Sequence, residues 1–146
     1  MRRSTTALLL SLAAPLAWAQ ATPVGLWKTI DDETKTEKSY VRIVEQGGQL
    51  VGRIEKLINP PKADPVCDAC TDARKGQPIV GMTILEGVKK SDSEETVWDG
   101  GVILDPNNGK TYKVRLSPKS GGKALDVRGY IGMPLLGRTQ TWQRAE

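Results

Sequence analysis

Apolar and polar side chains alternate with a period of two along most of this chain, the pattern of β-strands with one buried and one solvated face. The clearest example is Tyr112, Val114 and Leu116, which alternate with Lys113 and Arg115. Similar patterns recur at short intervals between turn residues. They predict eight strands, over residues 24–30, 40–45, 50–57, 79–88, 96–104, 111–116, 125–130 and 137–144.

Short reversals join most of these predicted strands. Gly47-Gly48 predicts a tight hairpin, Asp105 to Lys110 predicts a turn, and Gly100-Gly101 predicts a bulge or sharp bend within a strand. Strands that follow one another through short reversals, with glycines that permit curvature, favour an antiparallel up-and-down β-barrel over a sandwich. The sequence therefore predicts an all-β barrel.

The composition excludes several kinds of active site. The chain has 15 glycines, nine prolines, no phenylalanine and no histidine. Without histidine, the chain can form no Ser-His-Asp or Cys-His centre and no metal site built on imidazole. Phosphate-binding glycine motifs are also absent from the sequence. We predict a protein that is not an enzyme, with no catalytic residues, no metal and no cofactor.

The N-terminus has the three zones of a secretory signal peptide. These are Arg2-Arg3, the apolar run Ala7 to Leu16, and small residues ending at Ala19. Cleavage after Ala19 is preferred, although a cut after Ala21 satisfies the same small-x-small rule. Residues 1–19 are thus predicted to be a signal peptide, and residues 20–146 a single β-barrel domain. We expect an exported protein, in the periplasm or secreted.

The charge distribution argues against a nucleic-acid partner, and the hydropathy argues against a membrane-spanning helix. Loss of the signal peptide lowers the net charge from +4 to +2, because two arginines leave with it. The remaining lysines and arginines are scattered, which does not indicate a nucleic-acid interface. The apolar run Ala7 to Leu16 is shorter than the about 20 residues that a membrane-spanning helix needs, and no later apolar run reaches that length. We therefore expect neither nucleic-acid binding nor a membrane span.

Both cysteines, Cys67 and Cys70, lie in the long polar segment Asn59 to Pro78. Attachment of c-type haem is excluded, because Thr71 stands where that motif needs histidine. Redox-active pairs open a helix, whereas this pair follows a proline in a loop. A zinc site would need carboxylates to complete its ligands. A structural disulfide that pins the long loop is the favoured interpretation, with redox and zinc roles as alternatives.

Two resemblances extend this picture. Gly25-Leu26-Trp27 resembles the Gly-x-Trp of lipocalin and calycin barrels, which implies that Trp27 closes the barrel base under Arg144. Nearly all of the chain after residue 19 also resembles the bacterial family catalogued as domain of unknown function 2147, which implies a small exported, lipocalin-like barrel without an assigned activity. The motifs that carry this second resemblance are GLWKT, YVRIVE, LVGRIEKL, DPVCDAC, GQPIVGM, WDGGVILDPNNGKTYK and VRGYIGMPLLGRTQTWQR.

Two functions remain open. The first is periplasmic binding of a small, partly apolar ligand inside the barrel. The ligand-binding candidates are Tyr112 on the inner wall and Trp98, Arg128 and Tyr130 near a mouth. Alternation predicts the inner wall as Ile43, Ile54, Val102, Leu104, Tyr112, Val114, Leu125 and Val127. The second is contact with another protein of the cell envelope, or a stress-related role, which needs no cavity. A barrel of eight strands can hold a small ligand or be filled by its own side chains.

Overall fold

A computed structural model describes residues 21–146, which form a closed antiparallel β-barrel. Each strand pairs with the next along the chain, and the last pairs with the first. The all-β barrel of eight strands predicted from the sequence is confirmed. The strands are β1 (Gly25–Ile30), β2 (Glu37–Gln46), β3 (Gln49–Leu57), β4 (Thr83–Lys90), β5 (Trp98–Asp105), β6 (Lys110–Lys119), β7 (Ala124–Tyr130) and β8 (Arg138–Arg144).

The largest difference from the predicted strands is at β4, which begins at Thr83 rather than at Ile79. The preceding residues form a turn in which the Met82 amide donates to the Ile79 carbonyl and Gly81 has a φ of 88°. An apolar run alone does not distinguish a strand from a buried turn. The predicted signal peptide, residues 1–19, lies outside the described residues. Within residues 21–146, no helix is long and apolar enough to cross a membrane.

Side chains fill the centre of the barrel. Strand register places Leu85 of β4 between Gly52 of β3 and Ile103 of β5 on the inner face. A Cβ atom at Gly52 would lie 2.9 Å from the Cβ atom of Leu85, so these two strands pack without a gap. The fully buried side chains include Trp27, Val41, Ile43, Leu85, Val88, Val114, Leu116 and Leu125. The centre is therefore occupied by core residues.

The predicted inner wall is wrong at Val102 and Leu104, which face outward. Ile103 pairs with Tyr112 on the inner face, so its two neighbours in the strand point the other way. A bulge at Gly100, where φ is 80°, inserts one residue and reverses the alternation that the sequence suggested. The other predicted wall residues face inward: Ile43, Ile54, Tyr112, Val114, Leu125 and Val127.

Arg144 and Trp27 close one end of the barrel. The guanidinium carbon of Arg144 lies 4.2 Å from the centroid of the Trp27 ring, which is fully buried. The indole N–H of Trp27 donates to the Pro23 carbonyl at 2.7 Å. Burial lowers the pKa of Arg144. Its guanidinium donates to the carbonyl oxygens of Thr22 (2.7 Å), Val24 (2.9 Å), Gly122 (2.5 Å) and Glu146 (3.2 Å).

Gly25 makes this closure sterically feasible. A Cβ atom at Gly25 would lie 2.3 Å from Nη1 of Arg144, and the φ of Gly25 is 137°. Both the close approach and the positive φ require glycine. The glycine of the Gly-x-Trp sequence therefore leaves room for the arginine that covers the tryptophan two residues later.

The seam between β1 and β8 is held differently towards the other end. Backbone pairing across it covers two residue pairs, Trp27 with Arg144 and Lys28 with Gln143. Further along, Arg138 donates to both carboxylate oxygens of Asp32, at 2.7 and 3.1 Å. This hydrogen-bonded ion pair lowers the pKa of Asp32. A side-chain ion pair thus joins β8 to the turn that follows β1, beyond the end of the backbone ladder.

Replacing Trp27 by alanine should lower the free energy of unfolding by about 3–5 kcal/mol, because it leaves a cavity at the closed end and removes the ring under Arg144. Leu135, which is 83% exposed, provides a control. Leu135→Ala should change stability by less than about 0.5 kcal/mol. Urea unfolding followed by circular dichroism measures both. Equally small losses in the two variants would contradict the closing role of Trp27.

Candidate functional site

The segment between β3 and β4 folds against the outside of the barrel. Its two arms pair through Val66 and Pro78, with the Cys67 amide donating to the Gln77 carbonyl at 2.9 Å. Its tip rests on the turn between β5 and β6. There a Cβ atom at Gly109 would lie 1.9 Å from the Ala69 carbonyl oxygen, so only glycine permits this contact.

The cysteines form a disulfide, with 5.5 Å between their Cα atoms. Cys67 is fully buried and Cys70 is almost fully buried. Sγ of Cys67 lies 3.7 Å from the Pro106 carbonyl oxygen. The pair belongs to the same buried cluster as Ile84 and Leu104, which face outward from the barrel wall. The disulfide therefore packs a cover onto the outer wall.

The returning arm of this segment, residues 77–83, is joined to β3. The Gly81 amide donates to the Ile54 carbonyl at 2.7 Å, and the Ile54 amide donates to the Met82 carbonyl at 3.0 Å. Val80 projects beside this junction and is 48% exposed. Two grooves of about 360 and 390 Å³ meet at Val80 and Gly81. Both grooves lie on the outside of the barrel.

The first groove, here called the β2–β3 groove, follows the outer face of the β2–β3 hairpin. Val44 lies opposite Val51, and Arg42 lies opposite Arg53, in the register between the two strands. The valines and Val80 supply apolar surface, and the two arginines supply charge. The residues that line it are Arg42, Val44, Gln46, Val51, Arg53, Ile54, Glu55, Val80 and Gly81.

The two arginines of this groove differ in their partners. Arg42 forms ion pairs with Glu55 and with Glu146, which raise its pKa. Nε of Arg53 donates to the Thr83 hydroxyl at 3.3 Å. Among residues 21–146, no carboxylate lies within ion-pair distance of Arg53. The groove therefore combines apolar surface with one arginine that forms no ion pair.

The second groove has a charged wall that is internally balanced. Arg74 pairs with Asp72 at 2.5 Å and donates to the Thr83 carbonyl at 3.1 Å. The guanidinium lowers the pKa of Asp72 to about 2. Because its charge is already paired, this wall offers less attraction to an anion than Arg53 does.

The structure does not bring together the four residues predicted to bind a ligand, and none of them lines either groove. Trp98 lies at the end of the barrel that Arg144 closes, with Nζ of Lys90 5.7 Å from its ring centroid. Tyr112 lies towards the other end. Its hydroxyl accepts a hydrogen bond from Asn108 at 2.9 Å.

Arg128 and Tyr130 face outward, and Arg128 supports the connection between β7 and β8. Arg128 donates to the carbonyls of Pro134 at 2.7 Å and Leu135 at 3.2 Å, and to the Thr139 hydroxyl at 2.8 Å. These bonds fix a loop that presents four large apolar side chains to solvent. They are Ile131 (64% exposed), Met133 (63%), Leu135 (83%) and Leu136 (75%).

The residues of the β2–β3 groove were missed by the sequence prediction, although one signal for them was present. A two-residue turn at Gly47-Gly48 fixes the hairpin register, which places Val44 opposite Val51 and Arg42 opposite Arg53 on one face. That face of the hairpin is exposed to solvent, so the apolar pair of Val44 and Val51 on it indicates a candidate surface site. The sequence does not show that the segment between β3 and β4 folds back and places Val80 beside this face of the hairpin.

Comparison with known proteins gives a family and a fold. A protein-family model described as "Uncharacterized protein conserved in bacteria (DUF2147)" matches residues 25–144, which confirms the predicted family resemblance. A solved structure of protein HP1028 from Helicobacter pylori, described as belonging to the lipocalin family, is similar with a TM-score of 0.71 and 22% identity. The match covers 84% of this chain and 82% of that chain, and shows a lipocalin-like fold. No curated protein matches.

Removal of the disulfide in a Cys67→Ala, Cys70→Ala variant should loosen the long segment without unfolding the barrel. Closing so short a loop contributes about 2 kcal/mol in the chain-entropy model. Hydrogen exchange should accelerate at the amides of Cys67, Gly76 and Ile79, which bond within the segment. The β6 amides of Val114 and Leu116 serve as the internal control. Global unfolding at room temperature, or unchanged exchange in the segment, would contradict this local role.

Proposed function

Because this chain belongs to the DUF2147 family and has a lipocalin-like barrel, we propose that it is an exported, non-enzymatic protein that binds a small, partly apolar ligand. The ligand lies in the β2–β3 groove, outside the barrel. The observation that carries this proposal is the apolar surface of Val44, Val51 and Val80 beside the charged Arg53. Such a mixture of apolar surface and few polar groups is typical of small-molecule sites.

Packing supports an external site over an internal one. A Cβ atom at Gly101 would lie 2.6 Å from Cγ2 of Val88, and one at Gly52 would lie 2.9 Å from Leu85. These contacts pack β4 tightly against β3 and β5. The inner side chains of Leu85, Val88, Val114 and Leu116 have no accessible surface, so no space that admits a water molecule adjoins them. A ligand at this level would have to displace core side chains, at a cost of several kcal/mol. The groove of about 360 Å³ needs no such displacement.

The fold of the groove also favours binding. Its floor is the part of the two-strand ladder that pairs Arg42 with Arg53 and Val44 with Val51, and its Val80 wall is held to β3 by the hydrogen bonds of Ile54 and Gly81. The disulfide limits the motion of the segment that carries this wall. A largely preformed site loses less conformational entropy when a ligand binds.

Titration with octanoate should shift the methyl resonances of Val44, Val51 and Val80 in a saturable way, because these side chains line the β2–β3 groove. Interior methyl groups of Val114, Leu116 and Leu125 should not respond. Nuclear magnetic resonance of the protein with labelled valine and leucine methyl groups measures both sets. A response confined to the interior methyls would place the ligand inside the barrel, and no response in either set would refute the proposed site.

A pair of matched variants sharpens this test. Val51→Thr removes apolar surface from the groove at constant volume and should weaken octanoate binding about threefold or more. Val102→Thr makes the same change on the outer face of β5, away from the groove, and should leave the affinity unchanged. Equal affinities in the two variants would count against the groove.

A second candidate function is contact with another protein of the cell envelope. The observation that favours it is the exposed apolar surface of the β7–β8 loop, where Leu135 and Leu136 are 83% and 75% exposed. Arg128 holds this loop in one conformation through the carbonyls of Pro134 and Leu135. Exposed, contiguous apolar side chains of this kind mark interaction surfaces. This function and ligand binding use different faces and are compatible.

A photo-crosslinking amino acid at position 135 should form a specific protein adduct in intact cells, recovered from the periplasmic fraction. The crosslinked chain should lack residues 1–19, because the signal peptide is removed on export. The same amino acid at position 119, which lies at the other end of the barrel, is the control. Adducts of equal yield at both positions would contradict a specific contact, and a full-length chain in the cytoplasm would contradict export.

A further inference from the structure

We infer that the ligand of the β2–β3 groove is a monoanionic amphiphile, such as an aliphatic carboxylate, and that Arg53 binds its charged group. This inference rests on the proposed function, since it concerns the same groove. It assigns a charge and a chemical class to the ligand, which the apolar surface of the groove alone does not specify.

The first argument is the placement of two arginines opposite each other. Arg42 of β2 and Arg53 of β3 are direct cross-strand partners on the outer face of the hairpin. Like charges directly opposite each other destabilise a sheet. For Arg42 this repulsion is offset by Glu55 and Glu146, which both form ion pairs with it. Arg53 forms no ion pair in the described part of the chain, so its guanidinium keeps N–H donors available to an external anion.

The second argument is the position of Arg53 relative to the apolar surface. Arg53 and Val51 project from the same face of β3, two residues apart, and both line the groove. Val80 of the returning arm borders the same space. A short aliphatic chain can lie along Val51 and Val80 while its carboxylate meets the guanidinium. Arginine suits this role because its planar group binds a carboxylate through two parallel hydrogen bonds.

One arginine without an ion pair, beside the paired Arg42, Glu55 and Glu146, suits a ligand with no more than one negative charge. Arg42 is already paired with two carboxylates, and Arg74 of the neighbouring groove is paired with Asp72. A dianion would therefore find one free guanidinium and would face the carboxylate of Glu55, which also lines the groove. A neutral alcohol of the same length would gain the apolar contacts but not the ion pair.

Octanoate and 1-octanol have the same chain length but differ in charge. The difference between their affinities therefore measures the contribution of the charged group, apart from the apolar contacts. Octanoate should bind about threefold to tenfold more tightly than 1-octanol, the range expected for a partly exposed ion pair. Arg53→Gln should remove this preference and leave the affinity for 1-octanol unchanged. Lys113→Gln removes the same charge from the outer face of β6 and should preserve the preference. Titrations monitored at the Val51 methyl give all six affinities.

The outcomes distinguish the two proposals. If both compounds bind in the groove with equal affinity, or if Arg53→Gln keeps the preference, the anionic ligand is wrong while the groove stands. If neither compound shifts the groove methyls, the proposed function itself fails. Octyl phosphate tests the charge number, and binding tighter than that of octanoate would contradict a monoanionic ligand. Added salt should narrow the difference between octanoate and 1-octanol, because ions screen an exposed pair.

Discussion

Side-chain packing inside the closed barrel constrains the rest of this protein. The inner side chains of Leu85, Val88, Val114 and Leu116 are fully buried, so no space that admits a water molecule adjoins them. Trp27 and Arg144 close one end of the barrel, so the packed core extends to the surface at that end. The lipocalin-like fold is compatible with a small ligand. With the centre occupied, the proposed ligand site lies on the outer wall.

The segment between β3 and β4 converts an ordinary barrel wall into a shaped surface. Its disulfide and its tip rest on the β5–β6 turn, where Gly109 allows the Ala69 carbonyl to approach. Its returning arm then bonds to Ile54 and places Val80 beside the β2–β3 hairpin. The same segment therefore covers apolar residues on one side and borders the groove on the other. The cysteines act through position rather than through thiol chemistry, since they are buried and joined.

Most of the fold was predictable because it follows from local patterns. Alternation gave the strands, and Gly47-Gly48 and Asp105 to Lys110 gave their turns. The bulge at Gly100-Gly101 was predicted, but the inner-wall residues were assigned without counting the residue it inserts, so the phase of β5 was wrong at Val102 and Leu104. The ligand residues proposed from the sequence are dispersed in the structure. Arg128, for example, supports the backbone of the β7–β8 loop.

The sequence by itself determined the eight-strand barrel and the family, because strand alternation, turn glycines and the Gly-x-Trp motif are local features. It also determined the hairpin register that sets Arg42 opposite Arg53, since a two-residue turn leaves one pairing. Only the tertiary structure decided that the core is filled and that Val80 completes a groove. Those facts depend on contacts between residues far apart in the chain, which periodicity does not encode.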